Sequence, residues 1–406
     1  MEESIPCLRR DLEFFPVQHE GQQVILIRDT MGLVPEGKAV GLPLYQIMAL
    51  LDGNRGMRDI QMELMRQKGG VLVSMDEVMG LVRHLDDSFL LDTPRFREAR
   101  DRIIDDFSSK GVRPCSHCGN AYPGQPGELI KNLDDIIDST PPSDEPAGNI
   151  RALIAPHIDL SVGKKVYSSA YRMLKFTAPS SVIILGVGHQ MGGDLFSITD
   201  KDFETPLGII KNNKNLINRL RKAGGDLISD NDFAHRSEHS IEFQTLFLQH
   251  LLPMESFTIV PVLCGSIPLS LPEYSRDLYK KKAALFLETL SQILMESADD
   301  NLLVAGVDLS HIGPKFGHEM PAQLLKSESE THDRNLLDSL CRMDSDHFWE
   351  EIVRVNDSYN VCGFSALASM LEVLTSCKGQ VLDYQVWHEE PTRSAVSFAA
   401  AVFTSL

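Results

Sequence analysis

The chain has 406 residues, 43% of them apolar and 24% charged, which allows sizeable cores and is too long for one ordinary domain. Lysine and arginine total 39 against 57 aspartates and glutamates, a formal net charge of −18 that argues against broad, phosphate-led nucleic-acid binding. No apolar run approaches the roughly 18–20 residues that span a bilayer, and the start, MEESIPCLRRDLEFF, lacks the basic-then-apolar layout of a secretion signal, so no membrane association and a cytoplasmic location are expected.

Residues 1–95 read as a small module of their own. Residues 12–17 and 22–28 have strand character, and residues 43–51, 57–67 and 74–90 read as helices. In the last, Val78, Leu81, Val82 and Leu85 recur at helical spacing behind a Ser74/Glu77 capping box. A strand pair followed by three short helices predicts a winged-helix-like fold. Its helices carry mixed charge rather than a basic face, which argues against a DNA-reading role.

Residues 96–149 are expected to connect this module to the rest. They hold one helix, 126–137, and a polar, proline-rich surface loop, TPPSDEP at 140–146.

From residue 150 to 406 the texture changes. Strands are expected at 150–155, 181–187, 257–263, 301–307, 380–386 and 395–403. Helical patterns lie at 166–174, 213–223, 240–251, 279–295, 324–340, 345–355 and 364–374. Continuous apolar strands between amphipathic helices predict an α/β domain, a layered, mostly parallel or mixed sheet with helices on both faces. The direction of the last strands is left open.

Ligands in open α/β sheets bind beyond the carboxyl ends of the strands. Three strands here run directly into polar residues: Pro156-His157-Ile158-Asp159, Gly188-His189, and Asp308-Leu309-Ser310-His311. One such histidine alone is more often structural; three at one edge indicate a functional cluster. Neutral imidazoles suit zinc, copper, iron and nickel. Glu238, Glu242, Asp308 and Cys362 are the candidates for a third ligand, which would leave positions open for substrate or oxygen.

Glu238, His239 and Glu242 open one helix. A carboxylate in a first turn is favoured by the helix dipole, which accounts for Glu238 alone. Together, Glu238, His239 and Glu242 could supply acid, base or support to the ligands. Cys362 precedes another helix, where a thiolate is stabilised, with a buried structural cysteine as the alternative. The seven cysteines (Cys7, Cys115, Cys118, Cys264, Cys341, Cys362, Cys377) are scattered and odd in number, so most are expected as free thiols. Cys115-Ser116-His117-Cys118 reads as half a zinc site or a redox pair. With no second C-x-x-C, a four-cysteine zinc site is not expected.

As an ordered set, several segments resemble the Memo family, the second component of the AmmeMemoRadiSam group. They are SHCGNAYPG (116–124), LIAPHIDLSVG (153–163), ILGVGH (184–189), TPLG (205–208), EHSIEFQ (238–244), FTIVPVLCG (257–265), VDLSH (307–311), VCG (361–363) and SAVSFAAAVF (394–403). The resemblance implies a fold related to class III extradiol dioxygenases, which hold non-haem iron by two histidines and a glutamate. It also implies a metal pocket of His157, His189 and Cys362, with His239, Glu242, Asp308 and His311 as further, catalytic pocket residues. His117 then belongs to the opening motif, and the C-x-x-C becomes incidental. The chain departs from the family at Ile158-Asp159-Leu160, where an aromatic often follows the first histidine, and at Gln190, where a second histidine often stands.

Within residues 1–95, LYQIMALLDGNRGMRDI and LVRHLDDSFLLD resemble the PqqD-like fold, whose members clamp leader peptides and dock onto radical enzymes. The resemblances imply a copper- or iron-dependent redox enzyme, with zinc as the other metal choice. Its expected partners are a radical S-adenosylmethionine enzyme and an Amme-type protein, and its substrate a small molecule or peptide. Three alternatives stand beside this reading. They are a non-catalytic subunit that binds and presents a substrate, an extradiol-type dioxygenase with Glu242 as carboxylate ligand, and a vestigial pocket without metal.

Overall fold

Val182 and Ile184 face one apolar cluster, Ile183 and Leu185 another, and all four are fully buried. Side chains alternate along a strand, so this pattern requires a sheet covered on both sides. The computed structural model describes residues 5–19, 21–296 and 300–406 and divides into two units, Met1–Ser109 and Lys110–Leu406.

The first unit begins with a three-stranded antiparallel sheet, β1 (Leu12–His19), β2 (Gln22–Asp29) and β3 (Ala39–Gly41), in that order. Helices α1 (Leu42–Met48), α2 (Met57–Gln67), α3 (Met75–Asp87) and α4 (Pro94–Ser108) follow. Ile25, Ile27, Ile47, Met48, Ile60, Val78 and Leu85 form its core. The capping box stands as read: Ser74 Oγ accepts from the Glu77 N–H, and Glu77 accepts from the Ser74 N–H at 2.7 Å. Helix α4 extends the unit past the expected boundary at residue 95. Thr93 caps it, Pro94 stands in its first turn, and Phe96 and Phe107 are buried.

The second unit opens with β4 (Val112–Arg113), α5 (Pro126–Ile137), β5 (Ile150–Ala155), α6 (Lys164–Tyr171) and β6 (Ser181–Val187). Three short strands come next, β7 (Phe196–Ile198), β8 (Asp202–Thr205) and β9 (Gly208–Ile210), then α7 (Lys214–Gly224) and α8 (His239–Leu251). The chain continues through β10 (Thr258–Cys264), α9 (Ile267–Ser270), α10 (Arg276–Glu296), β11 (Asn301–Gly306) and β12 (His311–Ile312). It closes with α11 (Ala322–Cys341), α12 (Ser345–Val355), α13 (Phe364–Val373) and the hairpin β13 (Cys377–Glu389) and β14 (Ser394–Ser405).

The main sheet has eight strands in the order β12-β14-β5-β11-β6-β10-β7, with β13 paired along β14. Strands β5, β11, β6 and β10 are parallel, and β14 and β7 flank them antiparallel. The expected mixed α/β sheet is therefore present. Helices α5, α6 and α8 cover one face, and α7, α10, α12 and α13 the other. Each fully buried aliphatic side chain contributes about 1.5–3 kcal/mol.

Register places the site. Ala155, Gly306 and Gly186 are level across β5, β11 and β6, so the segments following all three emerge at one edge. Two of these residues let α8 approach closely. A Cβ on Gly306 would stand 2.4 Å from the Ser240 carbonyl oxygen, and one on Gly186 would stand 2.6 Å from Ser240 Oγ. The start of α8 is then tied to the strand ends. Ser240 Oγ bonds the Val187 N–H and carbonyl at 3.0 Å, and Gln244 Nε2 donates to the Pro156 carbonyl at 3.0 Å.

Candidate metal centre

His157 follows β5 and is almost fully buried. Its Nδ1 donates to the Gly306 carbonyl at 3.0 Å, and its backbone N–H donates to Asp308 Oδ1 at 3.0 Å. His189 follows β6, and the carboxylate of Glu238 accepts from both its backbone N–H and its Nδ1. With Nδ1 acting as donor in each ring, the lone pair lies on Nε2, and the acceptor fixes the ring's orientation.

Cys362 lies just ahead of α13. Its Sγ is 3.5 Å from His157 Nε2 and 3.6 Å from the Asp308 carbonyl. The next residue, Gly363, donates its N–H to that carbonyl, and a Cβ there would stand 2.6 Å from the same oxygen. Backbone contact thus fixes where the thiol sits. Ligating atoms of His157, His189 and Cys362 all lie within 4.8 Å of one another.

Burial, and then the neighbouring His189, press the His157 pKa down to about 4. Burial does the same to His239, to about 3, and to His311, to about 4. These rings are therefore neutral at pH 7, the form that binds a metal. Burial also raises the Cys362 thiol well above its ordinary value, and the nearby Asp308 adds to this. A cation between the three donors would reverse that, because a coordinated thiol gives up its proton. Two imidazoles held in place by their acceptors and one thiol are a donor set that suits a transition-metal ion.

His239 opens α8 and stacks on His189 with ring centres 5.0 Å apart, and its ring centre is 5.1 Å from that of His157. With His189 and Glu238 it forms a second grouping of potential donors. Burial lifts the Asp308 carboxyl to about 6, against the opposing pull of His311 and the amides of His157 and Ile158. Its Oδ2 stands 3.6 Å from His157 Nε2. His311, in β12, donates from Nδ1 to the Leu309 carbonyl at 2.9 Å and packs edge-on against Phe316.

Glu242 does not join the ligand set. It is fully buried and saturated by donors: Oε2 accepts from Arg113, the Ser116 N–H and Ser116 Oγ, and Oε1 accepts from the His117 N–H and the Tyr122 hydroxyl. Burial pushes its pKa up, but Arg113, Tyr122, His117 and Ser116 together outweigh this and hold it at about 2. The expectation that Glu242 acts as acid, base or ligand therefore gives way to a structural place. It anchors the loop at 113–122, whose His117 ring meets His239 edge-on at 5.7 Å.

Sequence reasoning missed Arg113, Ser116 and Tyr122. It read Glu238 as a candidate third ligand or a first-turn carboxylate, and not as the partner of His189. Glu238 does cap α8, accepting from the Ser240 N–H at 2.9 Å, but it also holds His189. Burial raises its pKa, and His189 and His239 reverse this and drive it well below the ordinary carboxylate range. Cys115 and Cys118, expected to be incidental, are joined as a disulfide. Cys7, Cys264, Cys341, Cys362 and Cys377 are free.

Residues 113–402 match the family model described as Memo-like protein. The chain is similar to a MEMO1 family protein of Aquifex aeolicus (strain VF5), 31% identical over 403 residues that cover 98% of this chain and 100% of that protein. It is also similar to a MEMO1 family protein of Thermus thermophilus, 27% identical over 86% of this chain and 99% of that protein. The protein memo-1 homolog of Caenorhabditis elegans is 30% identical over 50% of this chain and 54% of that protein. By the family-model match over most of its length and the full-length similarity to the Aquifex protein, the chain belongs to the Memo family.

Proposed function

We propose that this Memo family protein holds a copper or iron ion between His157, His189 and Cys362 and works as a redox enzyme. The observation that carries the reading is the convergence of these three donors, with each imidazole fixed from behind by its own acceptor. Zinc fits the same donors, but a thiolate beside two imidazoles favours copper or iron. When bound, such an ion supplies electron transfer or oxygen activation.

The chain's own residues supply the rest. Glu238 and the Gly306 carbonyl keep His189 and His157 oriented. Asp308, with its pKa near 6, is placed to hold or release a proton beside His157 Nε2. His239 and His311 border the pocket as neutral rings that can hydrogen-bond to a bound molecule. Extradiol-type ring cleavage is the weaker reading, because Glu242 is committed to Arg113.

The resemblance of residues 1–95 to PqqD-like modules supports a partnership with a radical S-adenosylmethionine enzyme and an Amme-type protein. In that arrangement the first unit takes up a peptide or presents a small molecule. The metal reading is tested by anaerobic reconstitution with copper or iron and optical spectroscopy. A sulfur-to-metal absorption band that is lost in Cys362→Ser supports it; an unchanged spectrum in that variant contradicts it. The partnership is tested by pulldown with the full chain, and failure to retain either partner counts against it.

A further inference from the structure

The disulfide between Cys115 and Cys118 has no part in the function proposed above, yet it closes the loop whose His117 ring packs edge-on against His239. Its Cα atoms are 5.8 Å apart, and both cysteines are half-buried, within reach of a small reagent. The two residues between them carry the contacts. Both N–H groups of Ser116 and His117 donate to Glu242, as does Ser116 Oγ. The His117 ring lies 3.0 Å, at Nε2, from the Ser237 carbonyl and meets His239 edge-on. His239 in turn faces His157 and His189. No other cysteines are joined among the described residues.

We propose that Cys115 and Cys118 form a reversible dithiol–disulfide couple whose redox state sets how firmly Ser116 and His117 are held against the pocket. The co-reactant is a low-molecular-weight thiol and its disulfide. In the reducing direction the reagent's thiolate attacks one cysteine sulfur. The bond between the two cysteines breaks, a mixed disulfide forms, and the released cysteine thiolate takes a proton. A second reagent thiolate attacks the reagent sulfur of the mixed disulfide. This frees the other cysteine, which also takes a proton, and yields one reagent disulfide. Two electrons and two protons have then passed to the protein, and the reverse sequence restores the link. A bond across four residues fixes both ends of the Ser116-His117 turn. Its reduction removes that constraint and leaves the turn held by its non-covalent contacts to Glu242, Ser237, Arg113, His239 and Phe243. The inference is independent of any metal in the pocket.

The test equilibrates the full, metal-free chain in buffers of graded glutathione to glutathione-disulfide ratio. The exchange is then quenched with acid, the chain is unfolded, free thiols are alkylated and each cysteine is read by mass spectrometry. Cys115 and Cys118 are expected to change together in one two-electron transition, while the other five cysteines stay alkylatable throughout. Hydrogen exchange in the peptide containing residues 113–122 is expected to rise at least tenfold on reduction. It is expected to be insensitive to the buffer in a Cys115→Ser/Cys118→Ser variant. Independent alkylation of the two, a link that never forms or never opens across the range, or unchanged exchange on reduction of the wild type would each overturn the proposal.

Discussion

Glu238 accepts from the Nδ1 of His189 at 3.0 Å and from its backbone N–H at 3.1 Å, while also capping α8. One carboxylate therefore joins the placement of a helix to the orientation of an imidazole. Replacing it with glutamine removes the charge that fixes the ring. Glu238→Gln is expected to weaken metal binding about 10–100-fold, the usual cost of losing such a partner. Competition against a chromophoric chelator measures this, and unchanged affinity would contradict the role.

The buried Arg113–Glu242 pair gives a prediction about stability. Removing one partner leaves an uncompensated charge in the interior, at a cost of about 3–5 kcal/mol. Glu242→Gln should lower the free energy of urea unfolding by that order. The pH dependence has a definite sign. Glu242 is held near 2, below its ordinary 4.5, so its contribution is present above pH about 4.5 and is lost as pH falls through about 2. The variant's stability should fall less steeply than the wild type's across that window. Parallel curves would mean the pair does not titrate in this way.

Asp308 behaves in the opposite sense. Its folded pKa, about 6, is above its ordinary 3.8, so between these values the folded protein binds more protons than the unfolded chain. Its contribution therefore falls as pH rises through that window. The depressed histidines His157, His239 and His311 oppose this slope, so the difference between wild type and variant is the quantity to read. In the metal-free protein, Asp308→Asn should gain stability relative to wild type as pH rises from about 4 to 6. No change in the difference would contradict the shift.

Gly306 lies where α8 crosses β11. A methyl group there meets the Ser240 backbone carbonyl at 2.4 Å, and backbone cannot rotate out of the way. Gly306→Ala should cost about 1–3 kcal/mol or more, and it should weaken metal binding by shifting the carbonyl that holds His157. Urea unfolding and chelator competition read the two effects. A variant unchanged in both would show that α8 has room to yield.

Much of the larger unit was legible because its strands are unbroken apolar runs that end on polar residues. Residues 150–155 and 181–187 were read to the residue, and His157 and His189 followed from them. Short strands carried no comparable pattern, so β3, β4, β7, β8, β9 and β12 were missed. Helix α4 was missed because many charged residues separate Phe96 from Phe107. At the site, sequence spacing put Glu238 and Glu242 on one helix face. Only folding supplies Arg113, 129 residues away in the chain, to claim Glu242, and His189, 49 residues away, to claim Glu238. Long-range partners of this kind have no signature in local spacing.

The most direct test of the central claim is elemental analysis of full-length protein purified without oxygen or added chelator, beside His157→Ala and Cys362→Ala. Near-stoichiometric copper or iron in the wild type, lost in both variants, is the predicted result. No copper or iron in the wild type even after anaerobic reconstitution, or metal retained in both variants, would contradict it.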